Sequence, residues 1–281
     1  MDVGMLTRLI LTAFLAVQCC LCPTPARAQQ TVLAIPGTGD NQDLLRLLAG
    51  RFMRDNPGVQ VEIPESVGTT GGIRSVLAGK AEMARTARAL RDDEVAAGLK
   101  ETVFAQTPVV IAVNPSVTGV KGLSAAQALA VFSGRIKNWS ELGGPDLAIA
   151  RVCRETPETA RVLLNTAIPG FEADGCRDQA VAYTTPEAVS LVAGQPGAVG
   201  YFSLSAMAAS RLVPLALNGV APSPENIGRG SYPLTIPFAL AYKPPLSPAA
   251  ARFLAFLSSP DAVSLMGRLN CLPTPAKPAA P

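Results

Sequence analysis

The side chains that could do chemistry in this chain are arginines, hydroxyls and carboxylates set in short segments rich in glycine or carrying a proline. The 281 residues include no histidine. That removes Ser-His-Asp and Cys-His catalytic units and zinc sites built on imidazole. Three segments stand out: Gly37-Thr38-Gly39-Asp40, Gly68-Thr69-Thr70-Gly71-Gly72 and Thr156-Pro157-Glu158-Thr159. Each precedes a helix-like pattern. Free backbone N–H groups at a helix start, with the helix dipole behind them, attract anions, and hydroxyls add donors. Arg88 and Arg154 stand at the ends of strand-like runs, where open α/β sheets bind ligands. A small oxyanion held by helix N-termini, threonine hydroxyls and an arginine fork is a coherent reading. Ordinary turns and caps have the same composition, so spacing alone leaves both readings open. Gly37-Thr38-Gly39 is no P-loop, since no Gly-Lys-Thr/Ser follows, and the GxGxxG fingerprint is incomplete. A hydrolase with a Thr or Ser nucleophile would need lysine or a carboxylate as base, and no Ser-x-x-Lys motif occurs. The expectation is a binding protein without enzymatic activity, cofactor or metal.

The elements that must position these residues alternate along the chain. Thr31 to Ile35 reads as a strand. A helix follows, capped by Asp40 or Asn41 and running to Arg54, with Leu44, Leu45, Leu47, Leu48 and Phe52 as its apolar stripe. Val59 to Ile63 is a strand, 67–72 a loop, Ile73 to Ala78 a helix, Glu82 to Ala87 a strand, Arg91 to Leu99 a helix and Val109 to Val113 a strand. Beyond it, Ser124 caps a helix to Phe132, and Ile149 to Val152 is a strand. Thr156-Pro157-Glu158 and Thr185-Pro186-Glu187 look like two copies of one helix start, with threonine as cap and proline first in the helix. Ala198 to Phe202, Leu212 to Leu217 and Phe238 to Tyr242 are strands. Pro222 to Pro233 is a loop, and Pro248 to Leu257 and Asp261 to Leu269 are helices. Strand–loop–helix alternation of this kind builds α/β folds with mainly parallel sheets flanked by helices.

With 48% apolar and 16% charged residues the chain is globular, and its length suits one large domain or two lobes. A net charge of +3 and 5% aromatic residues argue against a nucleic-acid partner. Arg8, the apolar run Leu9 to Val17 and Ala26-Arg27-Ala28 read as a signal peptide cleaved after Ala28, which places the protein in the periplasm. Cys19, Cys20 and Cys22 raise lipidation, but Gln18 and Leu21 are not the small residues a lipobox has before its cysteine. An uncleaved N-terminal anchor helix is a further alternative. Among the cysteines beyond the leader, an oxidising compartment favours a Cys153–Cys176 disulfide, closing a loop of roughly 20 residues and leaving Cys271 unpaired. The alternative is buried free thiols.

A family resemblance enters with Leu123 to Gly144. This stretch resembles phosphate-binding proteins of ABC transporters, the PstS-like branch of periplasmic solute-binding proteins. The family's "F-x-G-x-I-x-N-W" turn is matched by Phe132, Gly134, Ile136, Asn138 and Trp139. Pro196-Gly197-Ala198-Val199-Gly200-Tyr201 is similar to its "PGAIGY" strand, and Asn218 to Pro222 with Tyr232-Pro233-Leu234 to its return towards the first lobe. Gly68 to Ile73 and Ala81 to Arg88 match its second loop and the strand after it. The resemblance spans Thr31 to Pro273. It implies a two-lobed periplasmic-binding-protein-like fold with the ligand cleft between lobes. Residues 29–112 and a return over 235–272 would form lobe one, 113–234 lobe two, and 273–281 a disordered tail, with crossovers near Val113-Asn114 and Leu234-Thr235. The implied ligand set is Thr38, Gly39, Asp40, Thr69, Thr70, Arg88, Arg154 and Thr159. The implied partners are inorganic phosphate or a similar oxyanion and the membrane permease of an ABC importer, with the protein itself a monomer. The family's Arg…Ser-Gly-Thr loop is matched at Arg154 and Thr159, but Pro157-Glu158 replaces Ser-Gly. Proline removes an N–H donor, and Glu158 brings a carboxylate to a helix start where phosphate would sit. Two outcomes stay open: Glu158 faces the cleft, or it points to solvent. So does an alternative function, a sensor or interaction module of the same fold that no longer binds phosphate.

Overall fold

The computed structural model describes residues 30–176 and 181–274. The expected leader over 1–28, with Cys19, Cys20 and Cys22, lies outside the described residues; of the tail expected over 273–281, the part from 275 on does too, whereas Pro273 pairs with Ala105 and the Thr274 N–H donates to the Phe104 carbonyl at 2.9 Å. Strand β1 (Thr31–Ala34) leads to helix α1 (Gln42–Asp55), β2 (Val59–Glu62), α2 (Gly68–Leu77), β3 (Met83–Thr86) and the short α3 (Asp92–Ala96). The long β4 (Lys100–Val113) follows, then β5 (Gly122–Leu123), α4 (Ala125–Phe132), β6 (Ala150–Arg151), β7 (Cys153–Arg154), α5 (Thr159–Ala167), α6 (Phe171–Asp174), β8 (Val181–Ala182) and α7 (Thr185–Gly194). Next come β9 (Ala198–Ser203), β10 (Val213–Leu217), α8 (Pro224–Gly228), β11 (Thr235–Tyr242), α9 (Pro248–Phe256), α10 (Pro260–Arg268) and β12 (Leu272–Pro273).

Local chemistry accounts for the boundaries. Ser124 and Gln127 form a reciprocal capping box at α4. Ser223, Ser247 and Ser259 cap α8, α9 and α10, each with proline first in the helix. Helix α8 occupies part of the segment expected to be loop; its five residues are too few to show a periodic pattern. Helix α1 buries Leu44, Leu45, Leu48 and Phe52, whereas Leu47 is 44% exposed and falls off the stripe. Helix α2 starts at Gly68, earlier than the expected Ile73. Three glycines in its first turns disguise it, because glycine is a poor helix former. For Gly72 the reason is space: a Cβ there would lie 2.7 Å from Gly37 Cα.

The sheets are mixed rather than mainly parallel. β1 and β2 pair in parallel, as do β5 with β10, β6 with β9 and β7 with β8. The antiparallel pairings gather around β4, because the late strand β11 inserts between β3 and β4 antiparallel to both. Along Lys100 to Pro108, β4 pairs with β11; from Val109 to Val113 it pairs with β9 and, over its last residues, β10. The sequence shows only the second stretch as a strand, since that stretch is fully buried while the first carries Lys100, Glu101, Thr102 and Gln106 on positions that are not buried. Where the pairing changes, the Val109 N–H donates to the Leu234 carbonyl at 2.8 Å, and the Tyr232 hydroxyl donates to the Val109 carbonyl at 2.7 Å.

Trp139 is fully buried and donates its indole N–H to the Gly197 carbonyl at 2.8 Å. Phe132, Phe171 and Tyr201 meet edge to face, with ring centroids 5.3–5.9 Å apart. Beside this cluster Cys153, in β7, is joined by a disulfide to Cys176, 23 residues later, while Cys271 is a buried free thiol. Cross-linking a loop of this size removes denatured-state entropy. Changing both Cys153 and Cys176 to serine is therefore expected to lower the unfolding free energy by about 3 kcal/mol, measured by urea denaturation of the double substitution beside oxidised and reduced wild type.

Candidate anion-binding site

Every ligand residue expected from the sequence lies on one cavity of about 410 Å³. Thr38, Gly39 and Asp40 line it just before α1; Thr69 and Thr70 line it from the first turn of α2, and Arg88 from beyond β3. Arg154 from β7, Thr159 from the start of α5 and Thr185 from the start of α7 complete the wall. The starts of α1, α2, α5 and α7 thus converge on one space, and each contributes positive potential. Helix α2 begins without a side-chain cap at Val67.

The first loop is held by a residue that spacing did not single out. Arg85 in β3 is fully buried, and its guanidinium donates to the carbonyls of Thr38 (2.6 Å), Pro64 (2.7 Å) and Ile35 and to Gln42 Oε1 (3.0 Å). Burial pulls the guanidinium down to about 10. Gly37 is required here: at φ 149°, its Cβ would lie 2.0 Å from the Arg85 carbonyl oxygen. Within the loop so fixed, the Thr38 hydroxyl donates to Asp40 Oδ2 at 2.9 Å and accepts the Asp40 N–H at 3.2 Å. Asp40 is 4% exposed, and its Oδ1 is buried with no hydrogen-bond partner among the described residues. Asn41 occupies the cap position of α1, but its amide donates to the Thr86 carbonyl instead of capping.

The two arginines expected in the site are used differently. Arg88 makes a two-pronged ion pair with buried Glu94, both contacts 2.8 Å, and Arg91 adds a third at 2.9 Å. Hydrogen bonding to Arg88 holds the Glu94 carboxyl below its usual range. Arg88 therefore lines the wall with much of its hydrogen-bonding capacity committed. Arg154 is 4% exposed; its Nε donates to the Ala182 carbonyl (3.0 Å) and its Nη1 to the Thr185 hydroxyl (3.1 Å). Its Nη2 has no hydrogen bond among the described residues. Its backbone N–H donates to the Tyr201 hydroxyl at 3.0 Å. Arg161 braces the same strand end from α5, donating to the carbonyls of Arg154 (3.4 Å) and Gly175 (2.9 Å).

Two helix starts differ from expectation. Glu158, not Thr156, caps α5: it sits in extended backbone at φ −72°, ψ 138° and accepts the Arg161 N–H at 3.0 Å. Its carboxylate reaches the turn that a threonine further back would not. Glu158 lies on the cavity wall, 9% exposed, with Oε1 3.7 Å from Arg154 Nη1. The solvent-facing alternative is thereby removed. Burial raises its carboxyl to about 7, against the pull of Arg154 and with help from Asp40. At α7 the cap is Thr184, in a box with Glu187, which frees Thr185 to hold Arg154. Thr185 and Tyr201 join Arg85 and Arg161 as positioning residues that sequence reasoning missed; Thr185 had a signal, the doubled Thr-Pro-Glu pattern.

A polar cavity onto which helix N-termini converge, with one partly uncommitted buried guanidinium, defines a binding protein for a small anion. A family model described as the PBP superfamily domain matches residues 24–261, and the chain belongs to that family. Within it, the chain is 30% identical over 234 residues to the phosphate-binding protein PstS of Bacillus subtilis, covering 82% of this chain and 76% of that relative. Among solved structures, one from Clostridium perfringens, described as a putative phosphate ABC transporter substrate-binding protein with bound phosphate, superposes with a TM-score of 0.76 at 26% identity, covering 87% of this chain and 100% of that one. An ABC-type phosphate transport receptor from Vibrio cholerae gives a TM-score of 0.63 at 25% identity, with the same coverages of 87% and 100%. The α/β two-lobed fold class is thus established.

Because Arg85 fastens the loop that carries Thr38 and Asp40, Arg85→Met is expected to strand several buried acceptors at once. The expected loss is about 3–5 kcal/mol of stability, measured by urea denaturation; a loss under about 1 kcal/mol would show that the clamp is not needed.

Proposed function

We propose that this chain is an exported solute-binding protein that captures inorganic phosphate for an ABC-type importer. The observation that carries the reading is the open Nη2 edge of Arg154 in a cavity onto which several helix starts converge. A tetrahedral oxyanion there would accept from the guanidinium, from threonine hydroxyls and from first-turn N–H groups, with little solvent to screen the charge. The functions that the relatives' names state point the same way.

Capture would be mechanical. Residues 29–112 with the return from 235 form one lobe in this reading, and 113–234 the other. The bond from Val109 to Leu234 stitches the two crossover segments together where β4 changes partners, which suits a hinge. An anion bridging Thr38–Asp40 and Arg154 would favour the closed form, and the closed form would present its surface to a membrane permease. The protein would act in the periplasm as a monomer after cleavage at Ala28.

The test is titration calorimetry of the mature protein with phosphate. Arg154→Ala is expected to weaken binding by about 2–3 kcal/mol, and Arg154→Lys to recover little of it, since a point charge cannot make a two-pronged contact. Wild-type affinity in Arg154→Ala would overturn the assignment.

A second expectation concerns selectivity. Asp40 Oδ1, on the cavity wall and without a hydrogen-bond partner among the described residues, suits an anion that carries a proton and repels one that does not. Sulfate should therefore bind at least about a hundredfold more weakly than phosphate, a difference of about 2.7 kcal/mol. Competition titrations with the two anions check this; equal affinities would contradict it.

A further inference from the structure

The cavity contains a carboxyl whose position conflicts with an anion at Arg154. Glu158 Oε1 is 3.7 Å from Arg154 Nη1, and Oε2 is occupied by the Arg161 N–H. Without an anion this arrangement is stable: the carboxylate partly neutralises a buried guanidinium and caps α5. An incoming anion must approach the same guanidinium, within reach of the same carboxylate. Two like charges sharing a buried cation are strongly repulsive. The carboxylate cannot simply swing away, because its Oε2 anchors the first turn of α5 and it is 9% exposed.

We propose that Glu158 makes ligand capture proton-coupled: when an anion engages Arg154, the Glu158 carboxyl takes up one proton from solvent at Oε1 and becomes a donor to the anion. Charge and atoms balance: an O–H bond forms at Oε1, Oε2 keeps the Arg161 N–H, and the proton is returned to solvent when the anion leaves. The groups that face this carboxyl are Arg154 from β7, Asp40 from the loop before α1, Arg161 from its own helix and Tyr201 from β9. Arg154 favours the ionised form before an anion arrives. Asp40, whose own Oδ1 lacks a partner among the described residues, favours protonation, and an anion adds to that side. The site is poised for the change, since burial already raises the carboxyl to about 7 before any ligand arrives. A group that binds more protons in the complex than in the free protein makes affinity fall as pH rises.

The inference rests on the phosphate reading, and the experiment separates the two. Phosphate binding is measured by calorimetry at about pH 6 and about pH 8, either side of the raised Glu158 carboxyl, in pairs of buffers with different ionisation enthalpies, for wild type and for Glu158→Gln. Glutamine keeps an oxygen to cap α5 and is permanently neutral. The titration of free phosphate is common to both proteins and cancels in the comparison. At the higher pH, wild type is expected to take up about half a proton or more per phosphate in excess of the uptake by Glu158→Gln. The affinity of Glu158→Gln relative to wild type is expected to grow about tenfold between the two pH values. Glu158→Ser, with a shorter cap, should show the same change in proton count. Equal proton uptake and a constant affinity ratio, with phosphate still bound by wild type, would overturn the proton-coupled role alone. Absence of phosphate binding by wild type would overturn the functional reading and this inference with it.

Discussion

The structure around the cavity is organised by the need to keep one arginine charge, that of Arg154, almost out of water. Desolvating a guanidinium costs several kcal/mol unless its hydrogens are matched and its charge partly balanced. Nearly every feature of this region serves that end. The Ala182 carbonyl and Thr185 hydroxyl take two of its donors. Tyr201 and Arg161 hold the backbone on either side of it. The disulfide at Cys153 pins the adjoining residue, and Glu158 supplies the balancing charge. What remains is one terminal nitrogen with no hydrogen bond among the described residues, beside the starts of several helices. Such an arrangement is costly for a fold to maintain, and its natural complement is an anion.

Three arginines of the same neighbourhood divide the possible uses of a guanidinium. Arg85 is structural: it binds carbonyls and one amide oxygen, and it fixes the loop that presents Thr38 and Asp40. Arg88 is engaged by Glu94 in a two-pronged pair, so it contributes field and shape to the wall more than free donors. Arg154 alone of the three keeps a terminal nitrogen open. Electrostatic preference at the site then depends on the two carboxylates beside it. They lower the net positive potential that Arg154 and the helix dipoles create, and in the proposed function they would make the proton content of the ligand, and of Glu158 itself, part of recognition.

Much of this was legible in the sequence, for identifiable reasons. Loops that end strands and start helices have a compositional signature, so Thr38 to Asp40, Thr69, Thr70, Arg154 and Thr159 could be named, and all of them line one cavity. The helix cap at Ser124 follows from local hydrogen bonding and was equally readable. What escaped depends on tertiary contact. The antiparallel insertion of β11 between β3 and β4 joins segments far apart in the chain, and no local pattern reports it. Helix α2 was hidden because three glycines lower its helix propensity, and one of them, Gly72, answers to the backbone of the Gly37 loop instead. Arg85 looked like any strand arginine until its carbonyl partners were in place. Glu158 was seen as a departure, but whether it faced ligand or solvent turned on where α5 begins.

The central claim is that an anion is held at Arg154 among the helix starts, and a crystal structure of the mature protein grown with phosphate tests it most directly. The account predicts a tetrahedral anion within hydrogen-bond distance of Arg154 Nη2, contacting residues 38–40 or the first turn of α2 from the facing wall. An anion seated elsewhere, or a cavity empty at saturating phosphate while the protein binds it, would contradict the account.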